Sequence, residues 1–154
     1  ESGIRVSNLR SGIVISPLGG ALAKLLLPTK MGGGGPVGGG SQIQSWISLD
    51  DEIYAIHHLM MQDTSQGAYN LTSPNSVSQK EFAKILGRVL RRPSFMPLPK
   101  FALQLMFGEM GNVLIIEGQD VKPTRLQESG FTFTYSRLES CLRNCLGRVK
   151  NKFL

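Results

Sequence analysis

The sequence predicts an α/β fold with few parallel strands, followed by a mostly helical part. Ile13, Val14 and Ile15 form an apolar run without alternation, which is typical of a strand covered on both faces in a parallel sheet. From Phe82 to Leu90, apolar residues recur at the spacing of one helix face. A chain of 154 residues is long enough for one domain with a sizeable core.

The first strand is predicted from Ile4 to Ser16. Gly12 within it indicates a bulge or a place where another backbone comes close. Pro17 ends the strand, because proline has no N–H group to donate to a continuing ladder. We expect a short helix from Ala21 to Leu27, closed by Pro28.

A glycine-rich loop runs from Met31 into a short apolar strand around Trp46, the only tryptophan. Glycines in such number cost conformational entropy, so they indicate a backbone that turns tightly, passes close to a ligand or moves. Gly33, Gly35 and Gly38 match G-x-G-x-x-G, but a strand rather than a helix follows them, so the match is predicted to be coincidental. The loop is either a mobile loop that covers a ligand or a flexible surface loop.

Capping boxes predict where three helices begin, at Ser48, Ser78 and Ser136. The apolar positions of the first of these helices predict a buried face. Its members are Leu49, Ile53, Ile56 and Met60.

The histidines and cysteines do not predict a metal site. His57 and His58 are neighbours on a helix and point about 100° apart, so they cannot bind one metal ion together. Cys141 and Cys145 fall on the core face of the last predicted helix. Two such thiols favour a reducing compartment, which is the cytoplasm or the stroma or matrix of an organelle.

The net charge of +6 is compatible with nucleic acid, with a phosphorylated ligand, or simply with solubility. The cations between Lys80 and Arg92 have no aromatic side chains among them on the outer side of their helix. This pattern favours a solvated helix face over a nucleic-acid interface. No apolar run approaches the roughly 20 residues needed to span a bilayer. We therefore expect neither nucleic acid nor a membrane as a partner.

Four stretches resemble the C-terminal half of atypical extended short-chain dehydrogenases/reductases, the NAD(P)-dependent sugar-nucleotide epimerase-like branch. They read IRVSNLRSGIVISPLGGALAKLLLP, GGPVGGGSQIQSWISLDDEI, GAYNLTSPNSVSQKEFAKILGRVLRRP and FALQLMFGEMGNVLIIEGQDVKPTRLQESGFTFTYSRLE. The resemblance implies the C-terminal part of a Rossmann-like NAD(P)-binding fold plus a mostly helical substrate-side domain. It divides the chain into a Rossmann-like and substrate-binding region at 1–92, the helical family-specific C-terminal domain at 93–147, and a basic tail at 148–154.

The resemblance also implies a site for NAD(P) and a small, nucleotide-sugar-like substrate. Ser16, Pro17 and Leu18 would pass the nicotinamide. Arg10 would either hold the strand end or reach a ligand phosphate. The substrate pocket would be bordered by Arg10, Gly34, Gly35, Gln42 and Trp46.

No catalytic residue is assigned in this chain. The superfamily's glycine-rich cofactor turn and its Tyr-x-x-x-Lys pair would both lie before Glu1, and Tyr54 is followed four residues later by His58 instead of Lys. We therefore expect the substrate-side half of an epimerase-like reductase, with little or no cofactor binding alone and an exposed sheet edge that allows self-association. The alternative is a non-catalytic interaction module, related to cell or plastid division factors, that uses Pro97–Ile116 as a partner surface.

Overall fold

The structure, a computed structural model, describes residues 3–36, 39–94, 96 and 118–149. The predicted partner surface Pro97–Ile116 therefore lies outside the described residues. None of the helices in the described ranges has the length and apolar content needed to cross a bilayer. The strands are β1 (Ser7–Ser11), β2 (Ile13–Ile15), β3 (Ile43–Gln44), β4 (Trp46–Ser48), β5 (Gly67–Leu71) and β6 (Val77–Ser78). The helices are α1 (Gly20–Lys30), α2 (Leu49–Met61), α3 (Gln79–Leu90), α4 (Thr124–Glu128) and α5 (Leu138–Cys145).

The predicted first strand is divided at Gly12, where the chain changes its pairing partner. β1 runs parallel to β5, and β2 runs parallel to β4. The N–H of Gly12 donates to the Leu71 carbonyl at 3.0 Å, and the N–H of Ile13 donates to the Ser45 carbonyl at 2.8 Å. A Cβ atom at Gly12 would lie 2.6 Å from that Ser45 oxygen. The predicted close approach of another backbone and the predicted parallel strands are both confirmed.

Two groups of buried side chains form the core of the described chain. The first joins α1, α3 and α5 around Trp46, and the second lies between α2, β5 and α4. The helical spacing predicted for α3 is confirmed, because it buries Phe82, Leu86, Val89 and Leu90. The first group also contains Leu138, Cys141 and Leu142. Residues on both sides of position 92 thus share one core, while the domain division proposed there stays a prediction.

Helix α2 begins where expected but turns a different side to the core. Its N-cap is Ser48, whose Oγ accepts the Asp51 N–H at 3.0 Å. The buried face predicted from spacing was wrong for three of its four members, because a periodic pattern identifies an apolar stripe but not the element that covers it. Among its members, Leu49, Ile53 and Met60 are 40%, 53% and 67% exposed. Ile56 is the member that is partly buried, against the second core group. The helix instead buries Asp51, Glu52, Ala55 and Leu59.

Two other predicted helix boundaries were wrong. α1 continues through Pro28 to Lys30, so Pro28 removes one N–H donor near the end of the helix without ending it. Thr29 is buried there, and its hydroxyl donates to the Leu25 carbonyl at 2.7 Å. α5 has Arg137 as its N-cap and no side-chain capping bond, so the capping box predicted from Ser136 does not form.

Candidate functional site

The carboxyl ends of β2 and β4 lie side by side, with Ile15 paired to Ser48. Open parallel sheets bind their ligands at this edge. The turn that follows β2 consists of Ser16, Pro17 and Leu18, which are the residues predicted to contact the cofactor. The Leu18 N–H donates to the Ser16 Oγ at 3.3 Å, while the Leu18 side chain is 92% exposed. The Ser16 hydroxyl thus closes the turn, and the uncovered apolar side chain of Leu18 lies at the carboxyl edge of β2 and β4.

The glycine-rich loop is packed closely at its start. Gly34 and Gly35 are both buried. A Cβ atom at Gly34 would lie 2.5 Å from the Thr29 hydroxyl oxygen, and the Gly35 N–H donates to the Met96 carbonyl at 2.9 Å. Glycine is needed at these two positions because the backbone passes directly against α1 and Met96.

The other residues predicted to border the pocket lie in different surroundings. Arg10 is exposed on β1, and the Gln42 carbonyl accepts the Gln79 N–H at 2.8 Å at the start of α3. Trp46 is 0% exposed, and its indole N–H donates to the Asn75 carbonyl at 2.8 Å. In this arrangement the Trp46 ring can influence a ligand only through its neighbours. The pocket itself stays a prediction.

A buried carboxylate beside β1 was not found from the sequence. Glu52 is 8% exposed, and its Oε1 accepts the Ser11 hydroxyl at 2.5 Å. Its Oε2 is buried and has no hydrogen-bond partner among the described residues. Burial raises the pKa of Glu52, and the bond from Ser11 opposes that shift only in part. The contact between Glu52 and Ser11 cannot be found from the sequence, because the apolar stripe of α2 lies on a different side of the helix from the residues that are buried.

Replacing Glu52 with glutamine is expected to make the chain more stable at neutral pH. The folded state holds the Glu52 proton more tightly than the unfolded state does, because the pKa of Glu52 is raised on folding. Protonated Glu52 therefore contributes its full stability at pH values below its unfolded pKa of 4.5. This stability is lost as the pH rises through the raised pKa of the folded state. Glutamine keeps an acceptor for Ser11 without the charge. Urea unfolding across acidic to neutral pH should therefore show the largest gain at neutral pH and a shrinking gain on acidification.

Glu128→Gln is the matched control for that measurement, since Glu128 is an exposed glutamate on α4. It should change stability little at any pH. If Glu52→Gln and the parent chain show stability curves that run parallel across the pH range, the buried charge of Glu52 carries no penalty and the interpretation is wrong.

A second buried carboxylate joins distant parts of the chain. Asp51 is 0% exposed. Its Oδ1 accepts the Thr134 N–H at 2.7 Å, and its Oδ2 accepts the Tyr135 N–H at 3.0 Å and the Ser48 hydroxyl at 2.8 Å. The carboxylate thus fixes the segment before α5 to the first turn of α2, next to the carboxyl edge of β4.

His58 and Cys141 are packed against other parts of the fold, whereas His57 is exposed. The His58 Nε2 lies 3.1 Å from the Ser129 carbonyl, and its ring packs edge-on against Phe131. A hydrogen bond with Cys145 and burial raise the pKa of the Cys141 thiol, which makes it a poor nucleophile. Within the described ranges, no three His, Cys, Asp or Glu side chains come together in a way that could hold a metal ion.

Comparison with known proteins identifies the family to which the chain belongs. A profile described as a domain of unknown function (DUF1731) matches residues 98–145. The chloroplastic epimerase family protein SDR39U1 homolog of Arabidopsis thaliana is 41% identical over 140 residues, which cover 91% of this chain and 40% of that protein. The crystal structure of human epimerase family protein SDR39U1 (isoform 2) with NADPH matches at 33% identity and a TM-score of 0.86. The chain belongs to this epimerase family.

The epimerase-family chain spans about half the length of the curated relatives it matches, and it covers 49% of the human structure while 94% of its own residues are matched. The nucleoside-diphosphate sugar epimerase of Corynebacterium glutamicum matches at 27% identity and a TM-score of 0.71, over 94% of this chain and 27% of that one. The expected family and the Rossmann-like α/β fold are therefore confirmed.

Proposed function

We propose that this epimerase-family chain forms the substrate-side part of an NAD(P)-dependent, epimerase-like oxidoreductase that acts on a nucleotide-sugar-like substrate. The proposal rests on the match of 94% of the chain to 49% of a relative that binds NADPH, at a TM-score of 0.86. The cofactor's phosphates and the proton-transfer groups would then be bound or supplied by residues outside this chain.

The uncovered face of α2 and β1 supports that proposal. Arg5 donates to the Leu59 and Met60 carbonyls at the end of α2, each at 3.0 Å, while Ser11 contacts Glu52 near the start of that helix. β1 therefore runs alongside α2 in the opposite direction. Large apolar side chains are exposed on α2, on β1 and just before β1, namely Val6, Leu9, Leu49, Ile53, Tyr54 and Met60.

The exposed apolar side chains of α2 and β1 indicate that another part of a protein packs against them. In the described part of the chain, β1 pairs only with β5, so its other edge offers free N–H and carbonyl groups to a further strand. Several exposed apolar side chains beside such an edge are typical of an interface. We infer that the remaining half of an epimerase-like protein packs here, and that a second copy of the chain occupies the face when that half is missing.

The described residues fit one end of a dinucleotide site. The Ser16–Leu18 turn lies at the carboxyl edge of parallel strands, where it can contact the nicotinamide end, and bound NADPH would supply hydride chemistry there. The glycines of the loop do not fit the pyrophosphate, because β3 rather than a helix follows them. Arg10 is exposed and has no ion pair among the described residues, so it is free to meet a substrate phosphate.

A chimera tests the proposal. The half of human SDR39U1 that this chain does not match is joined to the chain, and NADPH is titrated by calorimetry. The chimera should bind NADPH saturably with a micromolar dissociation constant, whereas the chain alone should not. Leu18→Asp in the chimera should weaken binding by about tenfold, because an exposed carboxylate at the turn repels the anionic cofactor.

Leu27→Asp is the control, since Leu27 is also an exposed leucine, 67% accessible, but lies on α1 away from the turn. It should leave NADPH affinity nearly unchanged. A folded chimera that binds no NADPH would contradict the proposal. So would saturable binding by the chain alone, which would mean that the site is complete without the other half.

A further inference from the structure

A groove lies between α3 and the start of α5 and shares no residue with the candidate site. It has a volume of about 580 Å³. Four cations line this α3–α5 groove, and its walls come from both helices and from the turn before β6. The cations are Lys80, Lys84, Arg88 and Arg137.

Three of the cations form a row on one helix. Lys80, Lys84 and Arg88 are spaced i, i+4 and i+8 on α3, so they lie on one face with neighbours about 6 Å apart along the axis. Arg137 reaches the groove from the N-cap of α5. Cationic side chains from α3 and from the N-cap of α5 therefore line the same groove.

The carboxylates in the groove do not neutralise this charge. Glu139 accepts from Arg143 at 2.7 Å and from Arg88 at 3.0 Å, and these two guanidinium groups lower its pKa. One carboxylate is thus shared by two arginines. Glu81 is the other acidic residue of the groove, and no ion pair joins Lys80, Lys84 or Arg137 to any described residue.

The floor of the groove is apolar. Val77 and Leu138 are 9% and 3% exposed, and the half-buried Ile85 lies beside them. Among the residues that the structure describes, no aromatic side chain lines the groove. Stacking on aromatic rings is what holds the bases of single-stranded nucleic acids, so this combination disfavours nucleic acid. A row of cations above an apolar floor suits a chain that alternates acidic and apolar side chains.

We propose that the α3–α5 groove binds an acidic segment of another protein. Carboxylates two residues apart on an extended segment repeat about every 6.7 Å, close to the spacing of the α3 cations. The carboxylates of the segment pair with Lys80, Lys84 and Arg137. Its apolar side chains contact the half-buried Ile85. The groove thereby gives the chain an interaction surface that is independent of the cofactor edge.

The test uses the whole 154-residue chain and a fluorescein-labelled peptide of alternating Glu and Leu residues, followed by fluorescence anisotropy. The Glu peptide should bind in the micromolar range, and a peptide with Gln at every Glu position should bind at least about tenfold more weakly. Lys84→Glu and Arg137→Glu should each weaken binding by about tenfold. Raising KCl from about 0.05 to 0.5 M should weaken it further.

Lys30→Glu is the control, because Lys30 is an exposed cation on α1 outside the groove. It should leave the affinity within about twofold. Lys84→Gln, whose folding is checked by thermal unfolding, removes the charge without reversing it and should give an intermediate loss. The proposal is overturned by absence of peptide binding, by equal binding of the Glu and Gln peptides, or by loss of binding in Lys30→Glu alone. It is also overturned if only inorganic pyrophosphate binds, which would make the groove a small-anion site.

Discussion

Replacing Asp51 with alanine is expected to lower the free energy of unfolding by about 4 kcal/mol. The fully buried carboxylate accepts from the Thr134 N–H, the Tyr135 N–H and the Ser48 hydroxyl. Alanine removes the acceptor of all three bonds at once and leaves their partly buried donors without partners. Because bonds to a charged group are stronger than neutral ones, this loss should exceed that of an ordinary surface change several times over. Urea unfolding followed by Trp46 fluorescence measures it.

Asp50→Ala is the matched control for Asp51→Ala. Asp50 lies in the same first turn of α2 and is exposed, so its removal should cost only the interaction with the helix dipole, about 0.5 kcal/mol. Asp51→Asn adds a finer comparison, since the amide keeps one oxygen acceptor but points an N–H₂ group at a backbone donor. Equal, small losses for Asp50→Ala and Asp51→Ala would show that the contacts of Asp51 do not stabilise the fold.

Replacing Gly12 with alanine is expected to cost about 3 kcal/mol. The new methyl group would lie 2.6 Å from the Ser45 carbonyl oxygen and 2.9 Å from the Thr72 Cγ2. The carbonyl belongs to the backbone and cannot turn away, because it accepts the Ile13 N–H. To make room, the chain must give up the pairing of β1 with β5 or that of β2 with β4. Thermal and urea unfolding should both shift strongly.

Gly19→Ala provides the reference for that measurement. A Cβ atom at Gly19 meets no heavy atom within 4 Å, and its φ of −171° is extended backbone that any residue adopts. Its stability should stay close to that of the parent chain. If Gly12→Ala behaved in the same way, the strands could separate at the crossover without cost, and their arrangement around Gly12 would need revision.

The parts of the fold that depend on local patterns could be predicted from the sequence. The apolar spacing of α3, the N-caps Ser48 and Ser78, and the close approach at Gly12 all follow from neighbouring residues. The buried side of α2 could not be predicted in this way. Its most regular apolar stripe, which includes Ile53 and Met60, is exposed, because which side is covered depends on elements far away in the sequence.

In the candidate site, too, features that depend on neighbouring residues could be predicted and features that depend on distant residues could not. The residues themselves indicate that Ser16–Leu18 follows a strand, while its contact with the cofactor is implied only by the family resemblance and stays a prediction. Glu52 and Asp51 could not be placed, since their partners lie 41 positions away at Ser11 and 83 and 84 positions away at Thr134 and Tyr135. Such contacts leave no periodic signal in one sequence. An acidic first turn is also explained equally well by the helix dipole.

The order in which the first core group is assembled has a consequence for synthesis of the protein. α3 ends at Leu90, and the helix α5 that packs against it begins at Leu138. A ribosome that adds about 5 to 20 residues per second needs roughly 2 to 10 s to make the residues between them. During that interval α3 has no α5 to pack against. The nascent chain therefore presents an apolar surface long enough for a chaperone to bind it before the last helix emerges.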